Sequence, residues 1–218
     1  MAIDSEALLE LMRTRRSVRR FRPEPVPRAR VDQLVEAARW APTASNWQAF
    51  RLLILSSPVL LQKMREAVVE AAQATRATLR EDGRALADRY FDYFVQFAQA
   101  PLVIAPIYRS AGLLRTLLPP ASPSGPAAAE RGDAESLCSV SAAMMNLLLC
   151  AHAQGLGACW MTGPLIAEPA LLGLLAVPRG WRLAGLIAVG FPAEAPEPPP
   201  RRAPEVLARY LTPPDGSP

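Results

Sequence analysis

Leu8, Leu9, Leu11 and Met12 recur at helical spacing behind Asp4 or Ser5, either of which can cap, and predict a helix through about Thr14. Pro27 at a first helical position, followed by Val31, Leu34, Val35 and Ala38, predicts a second helix that Ala41-Pro42 ends. The run 50–55 is apolar and bounded by Ser-Ser-Pro, so it reads as a short buried strand. Ser57-Pro58 then caps a helix beginning near Val59. From about 59 to 99 the pattern is helical with a break near Gly83, and 101–108 reads as another buried strand.

Residues 110–132 differ in character, with Pro119-Pro120, Pro123 and Gly125-Pro126, and read as a mobile surface insertion or lid. Asp133 is the expected cap of a long helix to about Gln154. That helix is apolar around most of its circumference from Val140 to Leu149, which places it at the centre of a domain or an interface. Gly155-Leu156-Gly157 ends it. A strand over 158–161, a short helix over 168–175 and a final strand over 183–189 follow, before an extended proline-rich arm from Ala193 onward. The sum is one α+β domain over 1–218, with 193–218 as a C-terminal arm.

Charge narrows the function. Twenty-four basic against twenty acidic residues leave a net charge of only +4, and no basic run is interleaved with stacking aromatics, so nucleic acid is not an expected partner. The most apolar stretches, near 101–107 and 183–191, are far shorter than the ~20 residues a membrane span needs. Cys138, Cys150 and Cys159 form no C-x-x-C pair, and no signal-like segment precedes the first helix. The cytoplasm is the expected compartment.

Chemistry-bearing residues gather at three places. Arg15-Arg16-Ser17-Val18-Arg19-Arg20-Phe21 packs four guanidinium groups and a hydroxyl into six positions, a donor set for phosphate or another anion, although such clusters also occur on solvated faces. The loop 41–48 carries Asn46 and Gln48, whose amides both donate and accept and so suit the edge of a heterocycle. Arg201-Arg202 close the arm. No H-E-x-x-H, nucleophile elbow, Walker loop or G-x-G-x-x-G is present. The single histidine, His152, lies inside the apolar helix and reads as structural, which excludes a Ser-His-Asp triad and a His-based metal site.

In their order and spacing these segments resemble the nitroreductase family of flavoproteins. The resemblance rests on 15–21, on 41–50, on 146–160 and on Gly190-Phe191-Pro192 followed by Arg202-Ala203-Pro204-Glu205. It implies a central, mostly antiparallel sheet flanked by helices, and a homodimer with FMN at the interface. It assigns the FMN phosphate and ribityl chain to Arg15, Ser17, Arg19 and Arg202, joined by Arg16. Pro42, Thr43, Ala44, Asn46 and Gln48 would border the flavin, partly from the other subunit. Trp160, Met161, Thr162 and Gly163 would lie against the isoalloxazine ring, with a backbone N–H near Gly163 facing N5. NADH or NADPH would supply the hydride in a ping-pong cycle and a nitroaromatic, quinone or similar acceptor would remove it, with no catalytic side chain required. Related branches run flavin fragmentation, heterocycle dehydrogenation or dehalogenation on this fold, and a flavin-binding protein without turnover is the remaining alternative. The chain departs from the family's usual Pro-Trp after the loop Gln, having Ala49-Phe50 there, which bears on specificity.

Overall fold

The computed structural model describes residues 4–111, 116–119, 122 and 124–211. Its elements are α1 (Ser5–Thr14), α2 (Arg28–Arg39), β1 (Phe50–Leu55), α3 (Pro58–Thr78), α4 (Glu81–Phe94), β2 (Leu102–Arg109), α5 (Gly125–Ala153), β3 (Gly157–Met161), α6 (Glu168–Leu174), β4 (Trp181–Leu183), β5 (Leu186–Gly190) and α7 (Pro204–Leu207). Short 3-10 turns occupy Ala44–Asn46, Gln96–Gln99 and Gly163–Ala167.

The expected α+β class and antiparallel sheet are present. The strands run in the order β1-β2-β5-β3, with β4 also on β2, and every strand pairing is antiparallel. β2 sits centrally and alternates its side chains between two cores, as the period of two requires. Leu102 and Ile104 face a layer made by α2 and α5, with Leu34, Val140, Met144 and Leu147. Val103, Ala105 and Ile107 face the opposite layer, with Met64 and Val68 of α3, Phe97 and Leu171.

Three boundaries differ from the sequence reading. The long helical stretch breaks at Leu79-Arg80, both extended, and Gly83 lies within the first turn of α4, where its N–H reaches Arg80 O at 3.0 Å. Glu81 and Asp82 favour that helix start through the macrodipole, and a glycine so near a helix end is tolerated. The second difference is α5, which begins at Gly125 and not at Asp133, because Pro126 suits a first turn and the following alanines are strong helix formers. Part of the expected insertion is therefore helix, while 112–115, 120, 121 and 123 lie outside the described residues. The segment Ala129–Ala153 is also long and apolar enough by composition to cross a membrane, with mean hydropathy 1.5. No single apolar run reveals this, because Asn146 and His152 interrupt it; its face carrying Val140, Ala143, Met144, Leu147 and Ala151 is wholly buried in the core.

The third difference shapes the site. The stretch expected as one strand over 183–189 is two, both on the same side of β2. The register steps by one residue between them, from Ile104↔Ile187 to Ile107↔Leu183. The extra residue makes a bulge at Ala184-Gly185, and Gly185 adopts φ +139°, a region essentially closed to other residues. A Cβ there would stand 2.5 Å from Trp160 Nε1 and 2.8 Å from Met161 O. Pro106 of β2 lies beside the bulge, where its missing N–H disturbs the ladder least, and its carbonyl accepts from Ala184 N at 2.9 Å.

Candidate functional site

The arginine cluster is fixed in place by its two apolar members. Ser17 and Ala158 form a parallel bridge, Val18 N–H donates to Ala158 O at 3.1 Å, and Phe21 bridges Pro192. Val18 packs onto Gly157, where a Cβ would lie 2.7 Å from Val18 Cγ1, and Phe21 packs in the same way onto Gly190. Gly157 thus serves close packing, whereas Gly155, at φ +72°, serves the turn. With Val18 and Phe21 turned inward, Arg15, Arg16, Ser17 and Arg19 line a cavity of about 240 Å³, whose other wall is the proline arm with Pro196, Glu197, Pro199 and Arg201.

This cavity is short of negative charge. Burial, then the Arg201 and Arg16 charges, hold the Arg15 guanidinium below its ordinary value. Among the described residues Arg15, Arg16, Arg19 and Arg201 make no ion pair with a carboxylate, while Arg13, Arg20, Arg22 and Arg28 each do. Arg16 Nη1 instead donates to Arg13 O at 2.6 Å and Arg15 O at 2.9 Å, and Arg19 Nη1 donates to Ser17 O at 3.2 Å. Of the terminal pair, Arg201 and not Arg202 lines the cavity. A polyproline segment turns about one third of a revolution per residue, so two successive side chains cannot face the same wall.

Arg19 also opens onto a second slot of about 420 Å³, lined by Trp160, Met161, Gly163 and Pro164 on one side and by Tyr90, Tyr93 and Phe94 of α4 on the other. Its guanidinium stacks 5.5 Å from the Tyr93 ring centroid. Trp160 is locked by Nε1 donating to the bulge carbonyl, Ala184 O, at 3.1 Å. Gly163 lies under Phe94, whose ring would be 2.1 Å from a Cβ there. Thr162 caps the 3-10 turn, is exposed, and is not among the slot's lining residues. Cys159 lies at the slot's inner end. Burial pushes its thiol up, partly offset by Arg19 and a hydrogen bond with Ser17, so at neutral pH it is an uncharged wall.

The loop 42–48 is not brought to either cavity within one chain. Ala44 N–H is held by Ser139 Oγ of α5 at 3.1 Å, Gln48 N–H by Thr43 Oγ1 at 3.2 Å, and Gln48 Nε2 donates to Asn46 Oδ1 at 3.2 Å. Ser45, Asn46 and Gln48 all have φ near +50°, a left-handed conformation that costs non-glycine residues on the order of 1 kcal/mol each. Pro42, Asn46, Trp47 and Gln48 are exposed, so this strained loop faces outward from the chain. His152 shares a hydrogen bond with Thr14 Oγ1 at 2.9 Å, and burial with the Arg15 and Arg16 charges holds it neutral, as a structural imidazole. No group of metal-ligating residues occurs among the described residues.

Tyr90, Tyr93, Phe94 and Cys159 line the slot although the sequence does not point to them as ligand residues, and Arg201 takes the place the resemblance gives to Arg202. The only signal for the first three is the aromatic run 90–94, whose spacing of three and four puts Tyr90, Tyr93 and Phe94 on one helical face.

A sequence profile described as the nitroreductase family matches residues 12–191. A protein of Thermus thermophilus named NADH dehydrogenase is 28% identical over 187 residues, covering 83% of this chain and 84% of the relative. Among solved structures, a BluB-like flavoprotein from Clostridium difficile superposes with a TM-score of 0.79 at 19% identity, over 97% of this chain and 100% of that one. Iodotyrosine deiodinase bound to FMN and 3-iodo-L-tyrosine gives a TM-score of 0.71 at 24% identity, over 94% and 99%.

Proposed function

This chain belongs to the nitroreductase family, and from that premise we propose that it is an FMN-dependent oxidoreductase taking reducing equivalents from NADH or NADPH and passing them to a flat aromatic acceptor such as a nitroaromatic or quinone. The observation that carries the reading is that Arg19 lines both cavities, which places them side by side. An anion-seeking cavity rich in guanidinium groups without a carboxylate partner lies beside a mostly apolar, aromatic-lined slot, a pairing that suits a phosphorylated planar ring.

In this reading Arg15, Arg16, Ser17, Arg19 and Arg201 hold the FMN phosphate and the ribityl chain. Trp160, Met161 and Gly163 form the floor under the ring system, and Tyr93 and Phe94 cover the slot and exclude water from it. When bound, FMN supplies the redox chemistry, accepting a hydride from the nicotinamide and returning the electrons to the acceptor. The chain's own part is to bind, orient and desolvate, which accounts for a neutral His152 and a protonated Cys159.

The protein is proposed to act as a homodimer. α1 buries none of its residues within one protomer, and Leu9, Met12, Trp40 and Trp47 are exposed on it and on the loop region. A second copy covering this surface would bring the loop 42–48 to the partner's flavin, with Pro42, Thr43, Ala44, Asn46 and Gln48 at its edge. The likeness to the deiodinase supports reductive dehalogenation of an aromatic substrate as the second reading.

The test is direct. Purified protein is expected to carry or take up FMN and to lose its yellow colour when mixed anaerobically with NADH or NADPH, and an acceptor screen on the reduced protein then separates nitroaromatics and quinones from halogenated phenols. Protein that cannot be reconstituted with FMN would overturn the proposal. FMN binding without reduction by either nucleotide would favour a binding protein without turnover.

A further inference from the structure

The C-terminal arm leaves the body at one carboxylate. Glu194 Oε1 accepts the backbone N–H of Arg19 at 2.7 Å and of Arg20 at 3.1 Å, and Oε2 accepts Arg20 Nε–H at 2.8 Å. The side chain is only 16% exposed. Just before it, Ala193 N–H donates to Arg20 O at 3.0 Å and Arg22 N–H donates to Phe191 O at 2.8 Å. Beyond it the ties stop. Among the described residues the main-chain hydrogen bonds after 194 are local ones around α7, such as Val206 N–H to Ala203 O.

Between that last tie and the cavity runs Ala195-Pro196-Glu197-Pro198-Pro199-Pro200-Arg201. Proline fixes φ and favours the extended polyproline form, at about 3.1 Å per residue, so this segment is a semi-rigid rod about 20 Å long. A rod delivers its far end wherever its base points it. Here the base is Glu194 and the far end is Arg201, on the wall of the cavity that Arg15 also lines.

We infer that Glu194 is a positioning residue for the anion cavity, its carboxylate clamping the base of the proline arm to the backbone of Arg19 and Arg20 and so carrying Arg201 onto the cavity. The inference rests on the reading of that cavity as the FMN phosphate site. Its sign separates it from simple electrostatics. A carboxylate beside an anion site repels the anion, so by charge alone its removal tightens binding, whereas loss of the clamp weakens it.

The experiment measures FMN dissociation constants, by quenching of flavin fluorescence, for the wild type, Glu194→Gln, Glu194→Ala, Arg201→Ala and the Glu194→Ala/Arg201→Ala double variant. Glu194→Ala is expected to weaken binding about 10-fold, the size of one hydrogen bond to a charged group. Glu194→Gln keeps an acceptor for the two N–H groups and is expected to lose less. The double variant should bind no more weakly than Arg201→Ala, because both act through one guanidinium. Trypsin cleavage after Arg201 in FMN-free protein should be faster in Glu194→Ala than in the wild type. Unchanged or tighter FMN binding by both Glu194 variants, or additive losses in the double variant, would overturn the inference. If the wild type binds no FMN, the reading of the cavity fails, and the cleavage comparison still decides the clamp, unchanged rates refuting it.

Discussion

At the scale of single residues, the anion cavity is a charge imbalance held in place by neutral packing. Val18 on Gly157 and Phe21 on Gly190 anchor the segment so that Arg15, Arg16 and Arg19 line one cavity, where the Arg16 and Arg201 charges bear on Arg15. A bound phosphate relieves that repulsion. Arg15→Ala is expected to weaken FMN binding by about 10- to 100-fold while leaving the fold intact, since a hydrogen bond to a charged group contributes roughly 1.5–3 kcal/mol. Equilibrium titration checks the affinity and circular dichroism the fold. Glu194 carries a pH prediction. Burial acts to raise its carboxyl, but the Arg19 and Arg20 N–H groups and the Arg20 guanidinium outweigh this and hold it below its ordinary 4.5. A carboxylate with a lowered folded-state value contributes stability that is present above the unfolded value and lost as the pH falls through the folded one. The gap in Tm between wild type and Glu194→Gln should therefore be open at neutral pH and close as the pH drops from about 4.5 downward.

At the scale of elements, two contacts shape the slot: the bulge between β4 and β5 against Trp160, and α4 against the 3-10 turn that follows β3. Gly163→Ala puts a Cβ into the Phe94 ring and is expected to cost roughly 1–3 kcal/mol, as overpacking does. The loss should be largely recovered in Gly163→Ala/Phe94→Ala, measured by denaturant unfolding of the pair and both singles; additive losses would mean that the two sites do not touch. Gly185→Ala has no such suppressor. It meets the Met161 carbonyl as well as Trp160, at a backbone angle reserved for glycine, and should destabilise by at least ~1–3 kcal/mol.

At the scale of the whole molecule, a single chain contains the arginine-lined cavity and the slot beside it but turns the loop 42–48 away from both. The exposed apolar residues of α1 and the arm's Val206, Leu207, Tyr210 and Leu211 are the surface that the proposed second copy would cover. Tyr210 alone is 90% exposed. Replacing Leu9 and Met12 together by glutamate is expected to dissociate the proposed dimer in sedimentation velocity and to release FMN in the same step. A monomer that keeps full FMN affinity would show that the loop takes no part from the partner.

Local chemistry determined what local chemistry can reach. The cap at Asp4, the position of the strand over 50–55 and the Ser57-Pro58 helix start all follow from interactions within a few residues, whereas that strand's place at the sheet edge, half-exposed and not buried as expected, does not. The cluster's arginines were legible as donors because their chemistry does not depend on fold. The tertiary structure decided the rest. That Arg201 faces the cavity and Arg202 does not depends on the turn of a polyproline rod and on the direction Glu194 gives its base, 174 and 175 positions from its partners Arg20 and Arg19. The slot's cover by Tyr90, Tyr93 and Phe94 depends on where α4 starts, which two acids and not a glycine set. The bulge at Ala184-Gly185 shows only in the register of β4 and β5 on β2, and there its Ala184 carbonyl meets Trp160 Nε1, 24 positions away along the chain. Sequence spacing fixes neighbours along the chain; which of them meet across it is settled only when sheet register and helix packing are solved together.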